Sequence, residues 1–215
     1  MVDYPGTLAA LLFTSGCNFR CGFCHNASLI STARGIPWDA LNAQCRNWRE
    51  QWVDAAVVTG GEPTVAPELP ALIEFLKAFG WRVKLDTNGS HPDILKDCLD
   101  SVDYVAMDVK ASLATYPELT GFADVEAIGR SVGILKDAAV DYEFRTTVIE
   151  SIHTAEEIEE ISELIRGARR YVLQPFRPAD DLPAARFRSL PRTPPQRLQD
   201  LADRVGDAVE CIDIR

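Results

Sequence analysis

The amino-acid sequence predicts an α/β fold in which parallel strands alternate with helices. Six short apolar or β-branched runs recur along the 215 residues, and segments with helical spacing lie between them. Continuous apolar strands are typical of a parallel sheet that helices cover. About six strand–helix units are fewer than the eight of a closed TIM barrel. The pattern is therefore compatible with an open, partial barrel and with a doubly wound sheet.

The predicted strands span residues 8–13, 55–59, 82–86, 104–108, 142–148 and 171–175. A helix is predicted after the first strand, because five residues at three- and four-residue spacings share one helical face. These residues are Trp38, Leu41, Cys45, Trp48 and Trp52. The same pattern follows the second strand, in Leu69, Leu72, Ile73 and Leu76.

The second half of the chain carries a clear helix start. Thr154 and Glu157 have the spacing of a capping box, and the helix that they open would bury Ile158, Ile161, Leu164 and Ile165. Residues 175–195 are rich in Pro, Arg and Asp and are predicted to form a surface excursion. A last helix at 196–205 and a short strand near Cys211 would then close the fold.

No segment of the chain reads as a linker between domains. We therefore predict one domain of residues 1–215, with a core at about 7–176 and a C-terminal extension at 177–215 that closes the fold.

Charge and hydropathy exclude several functional classes. The chain has 22 Lys+Arg against 32 Asp+Glu, a net charge of −10, which argues against nucleic acid or an anionic membrane as a partner. No run approaches the roughly 20 apolar residues that a membrane-spanning helix needs. The first apolar run, at 8–13, lacks the basic start and the cleavage site of a signal peptide. A cytoplasmic location is expected, where six cysteines are not a disulfide framework.

Polar residues that could bind a ligand or take part in catalysis lie at the carboxyl ends of the predicted strands. In order, they are Thr59, Gly60, Gly61, Glu62, Asp86, Thr87, Asn88, Gly89, Asp108, Lys110, Arg145, Thr147 and Gln174. Any single motif among them has an ordinary interpretation, such as a tight turn or a solvated ion pair. Because the carboxyl ends of parallel strands share one edge, the whole set indicates one ligand pocket.

Three of the six cysteines crowd into the loop after the first strand. Cys17, Cys21 and Cys24 are followed by His25, and three kinds of site compete for this pattern. A zinc site would need His25 as the fourth ligand, although structural zinc usually takes two ligand pairs from separate loops. Attachment of c-type haem fits C-x-x-C-H but leaves Cys17 without a role.

An iron–sulfur cluster explains all three cysteines. A cubane cluster normally takes four thiolates, so three would leave one iron free to bind another molecule, as in an open catalytic site. A structural cluster completed by Cys45, Cys98 or Cys211 is the alternative, although these cysteines fall in other predicted helix or strand segments. The spacing favours the open, catalytic cluster.

The motifs also carry a resemblance to a known family. The C-x3-C-x2-C spacing with an aromatic residue at Phe23 resembles the signature of radical S-adenosylmethionine (radical SAM) enzymes, and TGGEP at 59–63 resembles their GGE motif. VDYPG at 2–6, CHN at 24–26, DTNG at 86–89 and MDVK at 107–110 together resemble the activating enzymes of glycyl-radical enzymes. The nearest resemblance is to the branch that activates anaerobic ribonucleoside-triphosphate reductase.

This resemblance implies a partial (βα)6 TIM-like barrel and a set of site residues. Cys17, Cys21 and Cys24 would hold a [4Fe–4S] cluster, and the amino and carboxyl groups of SAM would occupy its free iron. Gly60, Gly61 and Glu62 would meet the SAM amino group. The remaining contacts would be Phe23 and His25 near the adenine, then Thr87, Asn88, Asp108 and Lys110 along the methionine and ribose, with Arg145 on the SAM carboxylate.

The resemblance further implies an activity and partners. One electron, from a donor such as flavodoxin or ferredoxin, would cleave SAM and produce a glycyl radical on a partner enzyme, the large subunit of anaerobic ribonucleotide reductase. Two alternatives are a radical SAM enzyme acting on a small molecule, such as 7-carboxy-7-deazaguanine synthase, and a non-catalytic iron–sulfur electron carrier. The electron carrier does not explain the polar strand ends, and no divalent-metal site for the small-molecule enzyme is evident.

Overall fold

The computed structural model describes residues 3–31 and 35–215, so Val2 of the motif at 2–6 lies outside the described residues. Within the described residues, seven parallel strands form one sheet in the order β1 to β7. They are β1 (Ala9–Thr14), β2 (Ala55–Gly60), β3 (Arg82–Thr87), β4 (Tyr104–Asp108), β5 (Asp141–Val148), β6 (Tyr171–Pro175) and β7 (Ile212–Ile214). All six predicted strands are confirmed to within one residue at each end, and β7 is the short strand expected near Cys211.

The strand order decides between the two architectures that the sequence left open. Every strand pairs with its neighbour in the chain, and the order does not reverse anywhere in the sheet. A doubly wound sheet requires such a reversal, whereas a barrel is wound in one direction. Since β1 and β7 are the two edges of the sheet, the barrel is partial and open between them.

Helices cover one face of this sheet. They are α1 (Trp38–Glu50), α2 (Leu69–Ala78), α3 (Pro92–Cys98), α4 (Tyr116–Thr120), α5 (Val125–Asp137), α6 (Ala155–Leu164), α7 (Ala185–Arg188) and α8 (Pro195–Val205). On β2, Ala56 and Val58 belong to the core that contains the α1 and α2 side chains, while Ala55 and Val57 face the barrel interior beside Tyr4. None of the described helices is long and apolar enough to cross a bilayer.

The predicted start of α6 is confirmed, and the predicted end of α1 is wrong. The Thr154 side chain accepts a hydrogen bond from the Glu157 amide and caps α6, as the capping box predicts. Trp52, predicted on the buried face of α1, lies beyond the end of that helix and is 88% exposed. The helix stops because the chain must turn into β2, and Trp52 takes a left-handed conformation (φ 67°) in that turn.

The segment predicted as a surface excursion is instead anchored in the core. Leu182 and Phe187 are buried, and the hydroxyl of Thr193 donates to the Val148 carbonyl at the end of β5. Phe187, on α7, packs edge-on against Phe23 of the cysteine loop. Polar composition concealed these few apolar anchors, which pack the segment against the cysteine loop.

Candidate active site

One cavity of about 270 Å³ lies at the carboxyl ends of the strands, where the sequence placed the ligand site. All thirteen predicted site residues line it: Cys17, Cys21, Phe23, Cys24, His25, Gly60, Gly61, Glu62, Thr87, Asn88, Asp108, Lys110 and Arg145. Phe19, Asn26, Thr59, Asp86 and Thr147 complete the lining. Gly89 and Gln174, also noted at strand ends, are not among the lining residues.

The cysteine loop leaves β1 and is fixed by backbone contacts on both sides. The Gly16 amide donates to the Leu29 carbonyl at 2.7 Å, and the Arg20 amide donates to the Thr120 carbonyl at 2.7 Å. Phe19 packs against Tyr116 and Phe122. These contacts hold the loop over the cavity, with Cys21 buried and Cys17 and Cys24 partly exposed.

The three thiols suit a metal cluster better than a single ion. Burial raises the pKa of Cys17 and raises the pKa of Cys21 to about 12, so these groups are neutral thiols until a metal deprotonates them. Among residues 3–31 and 35–215, no three His, Cys, Asp or Glu side chains are arranged to bind one metal ion. A cubane cluster does not need the three thiolates to converge on one atom, because each thiolate binds a different iron. The three cysteines therefore fit an iron–sulfur cluster.

The other three cysteines lie away from the cavity. Cys45 is buried in α1, Cys98 is buried in α3, and Cys211 precedes β7. None of them lines the cavity. A fourth protein thiolate is therefore not offered to the cysteine loop by the described residues.

Two glycines allow the loop after β2 to approach the cysteine loop closely. A Cβ on Gly61 would lie 1.9 Å from the Gly16 carbonyl oxygen, and one on Gly60 would lie 2.4 Å from the Thr14 carbonyl oxygen. Both neighbours are backbone atoms that cannot move aside. Gly60 also has a φ of +121°, a backbone conformation that residues with a side chain rarely adopt. The glycine pair is thus required for direct contact between the two loops.

Glu62 is the most enclosed acidic side chain of the site, at 1% exposure. Its Oε1 accepts from the Thr64 amide, the Thr64 hydroxyl and the Thr87 hydroxyl, and its Oε2 accepts from the Asn88 amide at 2.6 Å. Burial raises the pKa of the carboxyl, and these hydrogen bonds oppose that shift. Glu62 therefore joins the loop after β2 to the loop after β3, in addition to lining the cavity.

A chain of charged side chains runs from the cavity into the barrel interior. Arg145 donates from Nε to Asp108 at 2.8 Å and from Nη1 to Asp86 at 3.1 Å. Lys110 donates to the other oxygen of Asp108, and the fully buried Lys84 donates to Asp86. Despite burial, the charges of Arg145 and Lys110 hold the pKa of Asp108 below its ordinary value. The site is thus lined by alternating, mutually stabilised charges.

The two residues expected near the adenine differ in their surroundings. Phe23 is buried against Phe187, so only part of its ring can reach the cavity. His25 is exposed and faces Phe176, with 6.5 Å between the ring centres. Both rings lie on the side of the cavity formed by the cysteine loop.

Residues 11–166 match the radical SAM superfamily. The chain belongs to this superfamily. It is therefore an enzyme of the group that uses a [4Fe–4S] cluster and SAM. The resemblance seen in the cysteine and GGE motifs is confirmed, and so is the fold class.

Several relatives cover most of the chain. A "Putative glycyl-radical enzyme activating enzyme" of Methanocaldococcus jannaschii is 30% identical, over 100% of this chain and 91% of its own length. A 7-carboxy-7-deazaguanine synthase of Thermococcus kodakarensis is 26% identical, over 77% of this chain and 73% of its own. Streptococcus suis SuiB bound to S-adenosylmethionine shares the fold with a TM-score of 0.75 at 13% identity, over 97% of this chain and 50% of SuiB.

Proposed function

We propose that this radical SAM enzyme is an activase that generates a glycyl radical on a partner enzyme. The observation that carries the proposal is the joining of the cysteine loop, the glycine pair, Glu62 and the charged strand ends around one cavity. The relative named as a glycyl-radical enzyme activating enzyme supports it, because the match extends along both chains.

In this proposal, Cys17, Cys21 and Cys24 hold the cluster and leave one iron for the amino and carboxyl groups of SAM. When bound, the cluster would supply the one-electron reduction of SAM that gives methionine and the radical needed to take a hydrogen atom from a glycine of the partner. This chain's own residues bind and orient SAM and exclude water from the reacting centre.

The proposed SAM contacts are those that the family resemblance implies, and the charges of the cavity suit them. Gly60, Gly61 and Glu62 offer carbonyl and carboxylate oxygens to the SAM ammonium group. Arg145 uses Nε and Nη1 for Asp108 and Asp86, while its Nη2 carries no hydrogen bond within the described residues and is available to the SAM carboxylate. Thr87, Asn88, Asp108 and Lys110 face the methionine and ribose, and Phe23 and His25 face the adenine.

The partner that we propose is the large subunit of anaerobic ribonucleotide reductase, with a flavodoxin or ferredoxin as electron donor. A glycine in a protein loop must come close to SAM, and a barrel open between β1 and β7 offers an entrance for such a loop. Partner choice also rests on the combination of the motifs at 24–26, 86–89 and 107–110.

Anaerobic incubation with SAM, a reductant and the reductase large subunit tests this proposal. We expect a glycyl radical in the electron paramagnetic resonance (EPR) spectrum of the large subunit and at least one 5′-deoxyadenosine for each radical formed. Cys→Ala at 17, 21 or 24 should remove the cluster, while the same change at 45, 98 or 211 should leave iron and sulfide content unchanged. Cluster loss in Cys98→Ala equal to that in Cys21→Ala would contradict the assignment.

The second candidate is a radical SAM enzyme acting on a small molecule, as in 7-carboxy-7-deazaguanine synthase. The match to the Thermococcus kodakarensis enzyme favours it, at lower identity and coverage than the activase relative. Turnover of the deazaguanine precursor, with no glycyl radical on the reductase, would favour this candidate over the activase.

A further inference from the structure

A side chain that does not line the cavity ties the cysteine loop to the rest of the site. Asn18, the residue after Cys17, donates from Nδ2 to the Ser90 hydroxyl at 2.9 Å. Its Oδ1 accepts from the Asn88 side-chain amide at 3.1 Å. Both the NH2 group and the oxygen of the Asn18 side chain therefore bond to the loop after β3.

The loop that Asn18 binds is itself held rigidly. The Ser90 amide donates to Asn88 Oδ1 at 2.9 Å, so Asn88 and Ser90 form a small turn. The Asn88 amide donates to Glu62 Oε2, which joins this turn to the loop after β2. Asn88 and Ser90 are both buried, so their hydrogen bonds are not exchanged with solvent.

A second connection lies on the other side of Cys17. The Glu62 amide donates to the Gly16 carbonyl at 2.8 Å, and the Gly61 amide donates to the Thr14 carbonyl at 2.9 Å. Cys17 is therefore anchored through its preceding residue to the loop after β2 and through its following residue to the loop after β3. Both anchors meet at Glu62.

We propose that Asn18 is a positioning residue that sets the distance between the cluster and the methionine end of SAM. It acts through Cys17, whose thiolate holds one iron, and through Asn88, which faces SAM. This inference rests on the proposed function, since it needs the cluster on Cys17. In this inference the three cysteines hold the iron, and the Asn18 amide sets how SAM meets the cluster.

The experiment compares Asn18→Ala with the wild-type enzyme and with Asn47→Ala after anaerobic reconstitution. Asn47 is an exposed residue of α1 whose side chain bonds only to Gln51 among the described residues, so its variant controls for loss of an asparagine amide. For Asn18→Ala we expect full iron and sulfide content but SAM binding weaker by about tenfold, because the loop after β3 is no longer held against the residue that follows Cys17. The change that SAM produces in the EPR spectrum of the reduced cluster should also be diminished.

Ser90→Ala is the second variant, because it removes one Asn18 contact, together with the contact between Ser90 and His91, without altering the cysteine loop. Ser90→Ala should weaken SAM binding less than Asn18→Ala, and the double variant should bind SAM no more weakly than Asn18→Ala. If Asn18→Ala fails to take up iron, SAM binding by Ser90→Ala tests the positioning role instead.

The outcomes separate this inference from the proposed function. The positioning role alone would be overturned if Asn18→Ala kept the wild-type SAM affinity and the wild-type EPR change on SAM addition. If Asn18→Ala takes up no iron, the same result in Ser90→Ala would overturn it. Iron loss in both variants would assign Asn18 to structure only and would also overturn it. A wild-type chain that takes up no cluster would overturn the proposed function, and the inference with it.

Discussion

At the scale of single residues, Glu62 has two separable duties. The motif predicts a contact with SAM, and the structure adds four hydrogen bonds that hold Thr64, Thr87 and Asn88 in place. A buried donor that loses its acceptor costs about 1–3 kcal/mol. The residue is therefore as important for the shape of the cavity as for its charge.

Substitution of Glu62 should reveal both duties. Glu62→Ala is expected to lower the free energy of unfolding of the metal-free chain by about 3 kcal/mol, because several buried donors lose their acceptor. Glu62→Gln keeps an acceptor oxygen and should cost less stability, while it weakens SAM binding by removing the charge. Urea unfolding and SAM titration measure the two effects. Wild-type SAM affinity in Glu62→Gln would remove the proposed contact with the SAM ammonium group.

A buried histidine makes stability depend on pH. Nδ1 of His153 accepts from the Ile149 amide at 2.8 Å, so the ring proton is on Nε2 and is donated to the Lys110 carbonyl at 2.9 Å. Burial lowers the pKa of His153. The unfolded chain therefore binds this proton at a higher pH than the folded chain, so the His153 contribution is complete above about pH 6.5 and is lost as pH falls below it.

His153→Gln should make unfolding less dependent on pH, since glutamine can replace the ring as acceptor and donor without titrating. The expected result is a smaller loss of unfolding free energy between pH 7.5 and pH 5.5 than in the wild type. Urea unfolding of the metal-free chain at both pH values measures this difference. Equal slopes for the two proteins would show that other groups carry the acid sensitivity.

At the scale of elements, the sequence indicated strands better than short helices. The six long strands are apolar runs whose ends coincide with polar residues, which made their bounds readable. Helices α4 and α7 have five and four residues, too few for a periodic pattern. Lys84 and Glu143 are fully buried charges inside strands. Lys84 donates to Asp86 of its own strand, and Glu143 accepts from Tyr104 of the neighbouring strand and from Arg215. The contacts of Glu143 join distant parts of the chain, so only the folded sheet reveals them.

The residues that line the cavity could also be predicted from the sequence, because of where they stand relative to the strands. They follow parallel strands, so the rule for carboxyl ends brought them together without knowledge of distances. The role of Asn18 was not readable, because its partners Asn88 and Ser90 are about 70 residues away in the chain. A side chain that contacts only other side chains leaves no periodic signal.

Contact between elements should be sensitive to one glycine of the cysteine loop. A Cβ on Gly22 would lie 2.7 Å from the Ala184 Cβ and 2.8 Å from a ring carbon of Phe187. Gly22→Ala should therefore displace α7 and lower the unfolding free energy by about 1–3 kcal/mol. Gly129→Ala, in α5 with open space around it, is the control and should stabilise by about 1 kcal/mol. Equal stability of the two variants would mean that α7 is not packed tightly on the loop.

At the scale of the whole molecule, the charge of the chain is opposite to that of residues 177–192, the first part of its extension. The net charge is −10, whereas residues 177–192 contain Arg177, Arg186, Arg188 and Arg192 against Asp180 and Asp181. Arg188 has an internal duty, since it donates to the Leu182 and Pro183 carbonyls. Arg186 and Arg192 are exposed, and Arg186 lies over the ring of Phe187 beside the cysteine loop. Arg186 therefore lies beside the cysteine loop, and we call Arg186 and Arg192 together the basic rim.

We expect this rim to steer an acidic surface of the partner enzyme, because complementary charges raise association rates at low salt. The double variant Arg186→Glu/Arg192→Glu should form the glycyl radical about tenfold more slowly at low salt, and its rate should no longer fall as salt is added. SAM cleavage without the partner should be unchanged, since neither arginine lines the cavity. Rates of radical formation at several salt concentrations, measured by EPR, test this expectation.

Two comparisons make that test decisive. Arg46→Glu makes the same kind of charge change on the exposed face of α1 and should leave radical formation and its salt dependence close to those of the wild type. Arg188→Glu should instead lower stability, because two carbonyls lose their donor. If the Arg186→Glu/Arg192→Glu variant keeps the wild-type rate and salt dependence, the partner docks elsewhere on the strand-end face. If it loses SAM cleavage as well, the rim supports the cavity and does not steer the partner.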